Sequence, residues 1–323
     1  MPPLFLCLIL CGVSGSLLAS PYLTRDQNPL TLVYGQPMPT NAWLPDSKQF
    51  KYNISLDIAN TVNDDAGTND SLFIDYESYH LTLGGTYGLN NNWAIKLDLP
   101  FIYRSGGTFD HAIDEWHKFF GLPRGIRPNV PEDQFRVSYT KNGTTQLDLS
   151  NSQSGLTDSQ LAIGRQLHQS SENALSLWAS IDIPLGDSNQ LTGNDDVDFA
   201  VMLAAASHLD TWFSVDANLG AVFPGDSVLP GLETESFVWF GHAGTQIGLN
   251  QTFALKLQLA GHGSYYQNTD IEFLGDALII IFGGTMNMGK CSALDVGVSE
   301  DIDPGASPDF SLLVSWKSRL GEC

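Results

Sequence analysis

The stretch Phe109–Leu122 (FDHAIDEWHKFFGL) holds residue types that bind metals and take part in hydrolysis. His111 and Glu115 are four positions apart, and Asp114 and His117 are three apart, so on a helix either pair could reach one metal ion. A catalytic zinc site needs three protein ligands, and the His-Glu-x-x-His pattern of zinc hydrolases is absent here. Ordinary side-chain pairing along a helix explains the same spacings. We therefore predict no metal and no cofactor.

The segments around this stretch alternate with the period of a β-strand. In Asn92–Phe101 the odd-numbered residues are apolar, whereas Lys96 and Asp98 lie on the other face. The same pattern recurs along the chain and predicts twelve strands, near residues 50–59, 74–88, 93–104, 156–167, 174–186, 196–208, 211–224, 235–248, 252–265, 275–288, 291–301 and 308–320.

Short and long connections alternate between these strands. The short ones fall at 90–92, 169–173, 209–210, 249–250 and 289–290, whereas the others are longer and acidic. This asymmetry is typical of a transmembrane, antiparallel, up-and-down β-barrel of the bacterial outer membrane, with turns and both termini in the periplasm. The alternative is a soluble β-sandwich or water-soluble barrel, in which the apolar residues would face inward.

Composition and the N-terminal region limit which classes of protein this chain can belong to. The 323 residues carry a net charge of −21, which excludes a nucleic-acid binder that relies on phosphate attraction. Leu4–Val13 has the length of a signal-peptide apolar region, and a cleavage point after Ala19 predicts export. We divide the chain into a signal peptide (1–19), an N-terminal segment (20–49) and a barrel (50–323). Five prolines and no sustained alternation predict that 20–49 is a plug or a periplasmic tail.

Three stretches carry a family resemblance. RDQNPL at Arg25–Leu30, DEWHKFFGLPRGIR at Asp114–Arg127 and SEDIDPGASPDFS at Ser299–Ser311 resemble a proteobacterial family known as domain of unknown function 3187. The resemblance runs over essentially the whole mature chain. It implies an outer-membrane β-barrel, distantly like the porin-type barrels linked to uptake of aromatic and fatty compounds, and it implies no established activity.

The inward positions of the predicted strands carry charges. The basic ones lie towards the periplasm and most acidic ones lie at mid-height or above, with Asp216 near the middle. We predict that these residues line the lumen: Lys51, Asp57, Lys96, Asp98, Asp182, Asp198, Asp216, Lys256, Lys317 and Arg319. Two interpretations stay open: the charges pair across a partly plugged barrel, or their field attracts cations at the mouth.

The connection at 105–155 is too long to lack structure. Asn142-Gly143 between two alternating arms predicts a hairpin at 136–149 above the membrane. Before it, Asp110 as N-cap and Gly121 as the stop bound a short amphipathic helix. Its apolar face is predicted to pack into the barrel mouth, as a gate or as a ligand contact, and consists of Ile113, Trp116, Phe119 and Phe120.

Some twelve-stranded outer-membrane barrels are lipid hydrolases, so enzymatic activity is an alternative function for this chain. His80, His242 and His262 lie well inside predicted strands, and no serine near them has a recognisable motif. We predict no enzymatic activity and keep a lipid hydrolase as the alternative.

Two cysteines remain in the mature chain. Cys7 and Cys11 fall in the signal peptide, whereas Cys291 opens the eleventh predicted strand and Cys323 follows the twelfth. Because the periplasm is oxidising, a disulfide between Cys291 and Cys323 is predicted, with two free thiols as the alternative.

The sequence thus predicts an outer-membrane barrel that is a passive channel for a small solute, with hydrophobic solutes among the candidates. The alternative is a closed barrel with a structural or surface-interaction role. Expected partners are outer-membrane lipid, lipopolysaccharide and, during biogenesis, the barrel-assembly machinery.

Overall fold

The computed structural model describes residues 20–121, 126–302, 305–308 and 310–320, so the predicted signal peptide and Cys323 lie outside them. The helices are α1 (Pro29–Leu32) and α2 (Asp110–Phe120), with 3₁₀ turns at Arg127–Asn129, Ser188–Gln190 and Glu272–Leu274. No helix within the described ranges is long and apolar enough to cross a membrane. The strands are β1 (Phe50–Ala66), β2 (Asp70–Asn90), β3 (Trp93–Ser105), β4 (Arg136–Lys141), β5 (Thr144–Leu149), β6 (Gln153–Leu156), β7 (Ser159–Gln169), β8 (Asn173–Ile183), β9 (Phe199–Asp210), β10 (Phe213–Phe223), β11 (Val238–Gly248), β12 (Phe253–His262), β13 (Ala277–Asn287), β14 (Ser292–Asp301) and β15 (Phe310–Leu320).

Twelve of these strands form a closed antiparallel barrel in the order β1, β2, β3, β7 and onward to β15. The seam closes where β15 pairs with β1, from Phe50 opposite Leu320 to Asn60 opposite Phe310. The predicted fold class is confirmed. Closure leaves no strand edge in the wall, which is the condition for a sheet to lie in lipid.

The apolar residues face outward. On β3 the outward side chains are 37% to 42% exposed and comprise Trp93, Ile95, Leu97, Leu99, Phe101 and Tyr103. Between them, Lys96 and Asp98 are buried in the interior. An apolar outer face with charges inside is the reverse of a soluble barrel.

The first hairpin rises far above the rest of the wall. β1 and β2 pair as far as Ala66 opposite Ser71, whereas the sequence predicted a loop over residues 60–73. The hairpin of β4 and β5 supplies the reason, because β4 pairs with the first residues of β2 and extends the sheet. Asn142 (φ 51°) and Gly143 (φ 73°) form its turn with the positive φ values of a type I′ turn. The hairpin predicted at 136–149 is therefore present.

Candidate functional site

The N-terminal segment, residues 20–49, lies inside the barrel. On its first limb the backbone N–H of Tyr22 donates to Gln258 Oε1 of β12 at 2.9 Å. Further on, Thr24 Oγ1 donates to the Asp57 carboxylate of β1 at 2.6 Å. The first limb therefore runs along the wall on both sides of the barrel seam.

Asn28 fixes the turn of the segment at the long-loop end of the barrel. Its side-chain Nδ2 donates to the backbone carbonyls of Phe273 at 2.8 Å and Ala306 at 3.0 Å. Its Oδ1 accepts the N–H of Leu30 at 2.9 Å and caps α1. One buried amide thus joins the segment to two loops.

Arg25 folds the segment back on itself. Its guanidinium donates to the backbone carbonyls of Leu32 at 3.2 Å and Tyr34 at 3.3 Å, and also to that of Gln36. A charged donor on several carbonyls makes strong hydrogen bonds. The segment is therefore a preformed hairpin.

The second limb descends along a different part of the wall. The N–H of Gly35 donates to Asp198 Oδ2 at 2.7 Å, and the N–H of Thr40 donates to Asn218 Oδ1 at 2.7 Å. Both limbs of the hairpin therefore enter the lumen from the short-turn end.

Trp43 covers the short-turn end. Its indole N–H donates to the carbonyl of Ser170, in the turn between β7 and β8, at 3.2 Å, and its ring stacks on His208 at 4.7 Å between centroids. Lys51 Nζ, a predicted lumen residue, donates to the carbonyl of Trp43 at 3.2 Å.

An aromatic cluster fills the long-loop end. The rings of Tyr34 and Tyr265 stack with 4.8 Å between their centroids, and the Tyr266 hydroxyl donates to the carbonyl of Leu30 at 2.8 Å. Phe273 is buried in the same core. The lumen is thus covered at both ends.

Asp295 organises the basic residues near the short-turn end. Its carboxylate lies 3.1 Å from Lys256 Nζ and 2.6 Å from Lys317 Nζ, and it accepts the Thr285 hydroxyl at 2.6 Å. Lys256 also lies 4.2 Å from the centre of the Tyr22 ring. These contacts join the first limb of the segment to the wall through charge.

Other predicted lumen charges also lie next to ionisable residues. Lys96 Nζ lies 2.8 Å from the Asp98 carboxylate, and Asp216 lies 3.0 Å from His242 Nε2. Arg319 is half-buried, opposite Lys51 in the β1–β15 register.

Asp182 and Asp198 meet the N-terminal segment at Gly35. A Cβ added there would lie 2.8 Å from the Cβ of Asp198 and 3.0 Å from that of Asp182, so glycine permits the close approach. Asp198 also accepts Asn194 Nδ2 at 2.9 Å and the N–H of Gly225 at 2.6 Å.

Four residues that organise the lumen were not among those predicted to line it. They are Arg25, Asp26, His262 and Asp295, of which Asp26 and His262 pair at 3.1 Å between Oδ2 and Nε2. A signal existed for Asp295, which occupies an inward position in the alternating segment Leu294–Val298. The N-terminal segment has no such periodicity.

The upper lumen, towards the long loops, has a polar half and an apolar half. On the inner face of β1–β3, His80 is buried, and neither ring nitrogen has a hydrogen-bond partner among the described residues. On the inner face of β9–β13, Met202, Phe240 and Ile279 are buried apolar side chains. Because a buried polar atom without a partner is costly, the first half suits polar contents and the second suits apolar ones.

Two cavities lie beside the N-terminal segment. Cavity A contacts β9–β13 and has Phe240 and Ile279 in its wall, and cavity B contacts β3, β7 and β8 and has Trp178 in its wall. Their volumes are about 20 Å³ and 10 Å³, so each has room for about one water molecule.

Both the sequence and the fold of this chain resemble those of known proteins. A family model described as protein of unknown function (DUF3187) matches residues 4–320. The chain belongs to this family. No curated protein sequence matches this chain.

Solved structures share the barrel. The COG4313 outer membrane channel from Pseudomonas putida F1 has a TM-score of 0.58 at 11% identity, covering 88% of this chain and 100% of that one. The toluene transporter TodX of P. putida has a TM-score of 0.44 at 10% identity, covering 92% of this chain and 94% of that one. The NanC porin has a TM-score of 0.43 at 10% identity, covering 81% of this chain and 98% of that one. The first of these similarities establishes the fold of an outer-membrane barrel.

The three stretches that carry the family resemblance meet at the long-loop end. Asn28 of the first donates to the carbonyl of Ala306 in the third. Trp116 of the second donates its indole N–H to Glu300 Oε1 of the third at 3.2 Å, and its ring packs edge-on against Phe310. The family's motifs therefore connect the plug, the long loop and the last hairpin.

Helix α2 covers part of the rim with a face that only partly matches the predicted one. Ile113 and His117 are buried and Trp116 is half-buried, but Phe119 is 82% exposed, so its predicted packing into the mouth is wrong. Residues 113 and 117 lie one turn apart on one side, and position 119 falls on nearly the opposite side. The side chain of Phe120 lies outside the described part of the chain.

Asp110 does not cap α2 as predicted. Phe109 is the N-cap residue and makes no side-chain cap, whereas Gly121 ends the helix in the left-handed conformation as predicted. The Asp110 carboxylate instead accepts Asn60 Nδ2 at 2.7 Å and the N–H of Asp133 at 2.8 Å. The Asp110 side chain therefore fastens the long loop to β1 and does not cap the helix.

Two further predictions concern a metal ion and a disulfide. Within the described ranges no group of three His, Cys, Asp or Glu residues is arranged to hold a metal ion. Cys291 is disulfide-bonded, and its predicted partner Cys323 lies outside the described residues.

Proposed function

We propose that this protein is an outer-membrane channel for a small apolar solute, closed at rest by its N-terminal segment. The observation that carries the proposal is the polar attachment of that segment inside a barrel with an apolar half-lumen. The outward apolar band supports a place in the outer membrane, and the short turns support a periplasmic location for both termini.

The path of the segment makes it removable. Both limbs enter from the short-turn end, so the hairpin can withdraw to that side without threading a free end through the barrel. Its attachments include hydrogen bonds, such as Thr24 to Asp57 and Gly35 to Asp198, and apolar contacts of Tyr34 in the long-loop core. The barrel wall is complete without it.

The apolar half of the lumen supports the choice of solute. Met202, Phe240 and Ile279 provide a buried apolar surface along the inner face of β9–β13. The barrel is also similar in fold to a protein described as an outer membrane channel.

We also propose that the protein works without catalysis. The histidines weighed for a lipid hydrolase are His80, His242 and His262, and all three are buried inside the lumen, away from the lipid face. Two of them are already engaged with carboxylates, His242 with Asp216 and His262 with Asp26.

A second candidate is a closed barrel with a structural or surface-interaction role. Trp43 at the short-turn end and the tyrosine cluster at the long-loop end favour it, because they cover both ends of the lumen.

Conductance in a planar bilayer separates the two candidates. We would compare the intact chain with a chain that lacks residues 20–45, a chain that lacks 107–153 and a control that lacks only 136–149. A channel predicts large steps after removal of 20–45 and little change after removal of 136–149. Larger steps after removal of 107–153 would add a gating role for α2. Folded barrels that stay silent in all four forms would favour the structural role.

A further inference from the structure

Three buried carboxylates face the N-terminal segment in the lumen without an ion pair. Asp57 lies on β1, Asp182 near the end of β8 and Asp198 directly before β9, and they are 1%, 6% and 0% exposed. We call these three residues the acidic site. None of them pairs with a lysine, arginine or histidine within the described part of the chain. Because a buried charge without a counter-charge is costly, a cation placed among them would be stabilised.

Two of the three carboxylates have unused hydrogen-bonding capacity. Asp57 Oδ2 is buried and accepts no hydrogen bond within the described ranges. The Asp182 carboxylate accepts none there either, although its backbone N–H donates to the carbonyl of Asp198 at 2.9 Å. His80 stands opposite Asp57 in the β1–β2 register and makes no hydrogen bond to it. The acidic site can therefore accept hydrogen bonds from a further donor.

Arg25 brings a positive charge to the acidic site while the segment is docked. Its guanidinium is fixed to the backbone carbonyls on both sides of Gly35, the residue that lies against Asp182 and Asp198. Its charge attracts the carboxylates of Asp57 and Asp182 without an ion pair to either. The docked segment thus offsets part of the cost of the buried carboxylates, and its withdrawal removes this charge.

Two cations of the wall, both on β3, are engaged elsewhere. Lys96 pairs with Asp98 at 2.8 Å. Arg104 donates to the carbonyl of Gln190 at 3.1 Å and lies 5.7 Å from the centre of the Tyr76 ring. Neither contacts the acidic site, so neither replaces Arg25 when the segment leaves.

The segment also presents apolar side chains to the other half of the lumen. Leu30 and Tyr34 belong to the same buried core as Met202 and Phe240 of the wall. The docked segment therefore places a positive charge beside the carboxylates and apolar groups beside the apolar wall. A lumen vacated by the segment is complementary to a molecule that has the same two features.

We propose that the acidic site binds the charged end of a small organic cation with an apolar body, an aromatic or alkyl amine or guanidine, and that Arg25 occupies its place in the docked state. This inference rests on the proposed channel function and adds one positive charge to the solute. The solute and the docked segment exclude each other, because both need the same carboxylates.

The first test replaces the tethered cation with a free one in the full-length protein, refolded into lipid vesicles. Arg25→Ala should make proteolysis of residues 20–45 severalfold faster. Methylguanidinium should restore protection in a saturable manner, because it returns a cation to the carboxylates. N-methylurea has a similar shape and similar donors but no charge, so it should not restore protection.

Matched variants assign the rescue to the acidic site. Adding Asp182→Asn to Arg25→Ala removes one of the attracting charges and should raise the methylguanidinium concentration for half-maximal rescue about tenfold. Adding Asp64→Asn instead removes an exposed acid and should leave that concentration unchanged. Both comparisons are made without Arg25, so a weaker attraction of the segment itself does not enter.

The second test measures the charge of the permeating solute. Arg25→Ala loosens the segment in the full-length chain and should give openings in a planar bilayer. Under a gradient of benzylammonium chloride, the reversal potential should have the sign of cation flow. Adding Asp182→Asn should move it towards the value for chloride.

The outcomes separate this inference from the channel function. With openings observed, unchanged protection in Arg25→Ala or equal rescue by methylguanidinium and N-methylurea would overturn the acidic site while the channel function stands. Chloride-selective openings would likewise overturn the positive charge of the solute. Silence in all folded variants, together with rescue by methylguanidinium alone, would overturn the channel function while the cation site stands.

Discussion

Arginine in place of Leu97 tests whether the outer face of the barrel lies in lipid. Leu97 is 40% exposed and sits near the middle of the outward row of β3, which runs from Trp93 to Tyr103. That row rises about 33 Å at about 3.3 Å per residue, or about 25 Å along the axis at a tilt of about 40°. This length matches the apolar band of an outer-membrane barrel, so Leu97 falls close to the midplane of the bilayer.

The depth of a residue in the bilayer determines how much an arginine at that position should destabilise the barrel. Leu97→Arg should lower the free energy of unfolding by about 2–4 kcal/mol at the midplane, whereas Trp93→Arg, about 10 Å nearer one interface, should cost about 0–1 kcal/mol. Equilibrium unfolding in urea, with the barrel refolded into lipid vesicles, measures both values. In water an exposed substitution changes stability by about 0.5 kcal/mol or less. Two equal losses of that size would refute the membrane assignment and favour a soluble barrel.

Two further changes test the interior. Asp295→Asn leaves the buried Lys256 and the half-buried Lys317 without their carboxylate and should cost about 3–5 kcal/mol in urea unfolding. Gly35→Ala places a Cβ 2.8 Å from that of Asp198 and should loosen the N-terminal segment by about 1–3 kcal/mol, seen as faster proteolysis of residues 20–45.

Each of these changes has a control and a contrary result. Asp64→Asn changes an exposed acid and should leave stability unchanged, so an equal loss in Asp64→Asn and Asp295→Asn would remove the argument from buried charge. Unchanged protection of residues 20–45 in Gly35→Ala would show that the segment has room at this position.

The barrel wall was predictable because its signal is local. Alternation places Leu97 on one face and Lys96 and Asp98 on the other without any knowledge of the partner strand. The extra length of β1 and β2 was not predictable in the same way, because residues 60–73 gain their strand conformation from pairing with each other and with β4.

The interior was only partly predictable. The inward charges of the strands followed from alternation, but the contacts of the N-terminal segment did not, because prolines and polar side chains carry no period. Arg25 bonds to carbonyls whose position depends on the fold of the whole segment. The exposed Phe119 shows a related limit: an aromatic residue in an amphipathic helix indicates a face only when the contact surface is known.

The plug has a consequence for the order of assembly. Tyr22 contacts Gln258 and Val296, which follow it by 236 and 274 residues, and Asn28 contacts Ala306 after 278. Contacts of such sequence separation close large loops and form late, since chain entropy opposes them until their partners are in place. The last strands must therefore be paired before the first residues of the N-terminal segment find their sites. A newly closed barrel passes through a stage with an unfilled interior, and the rate of plug docking sets how long that leak lasts.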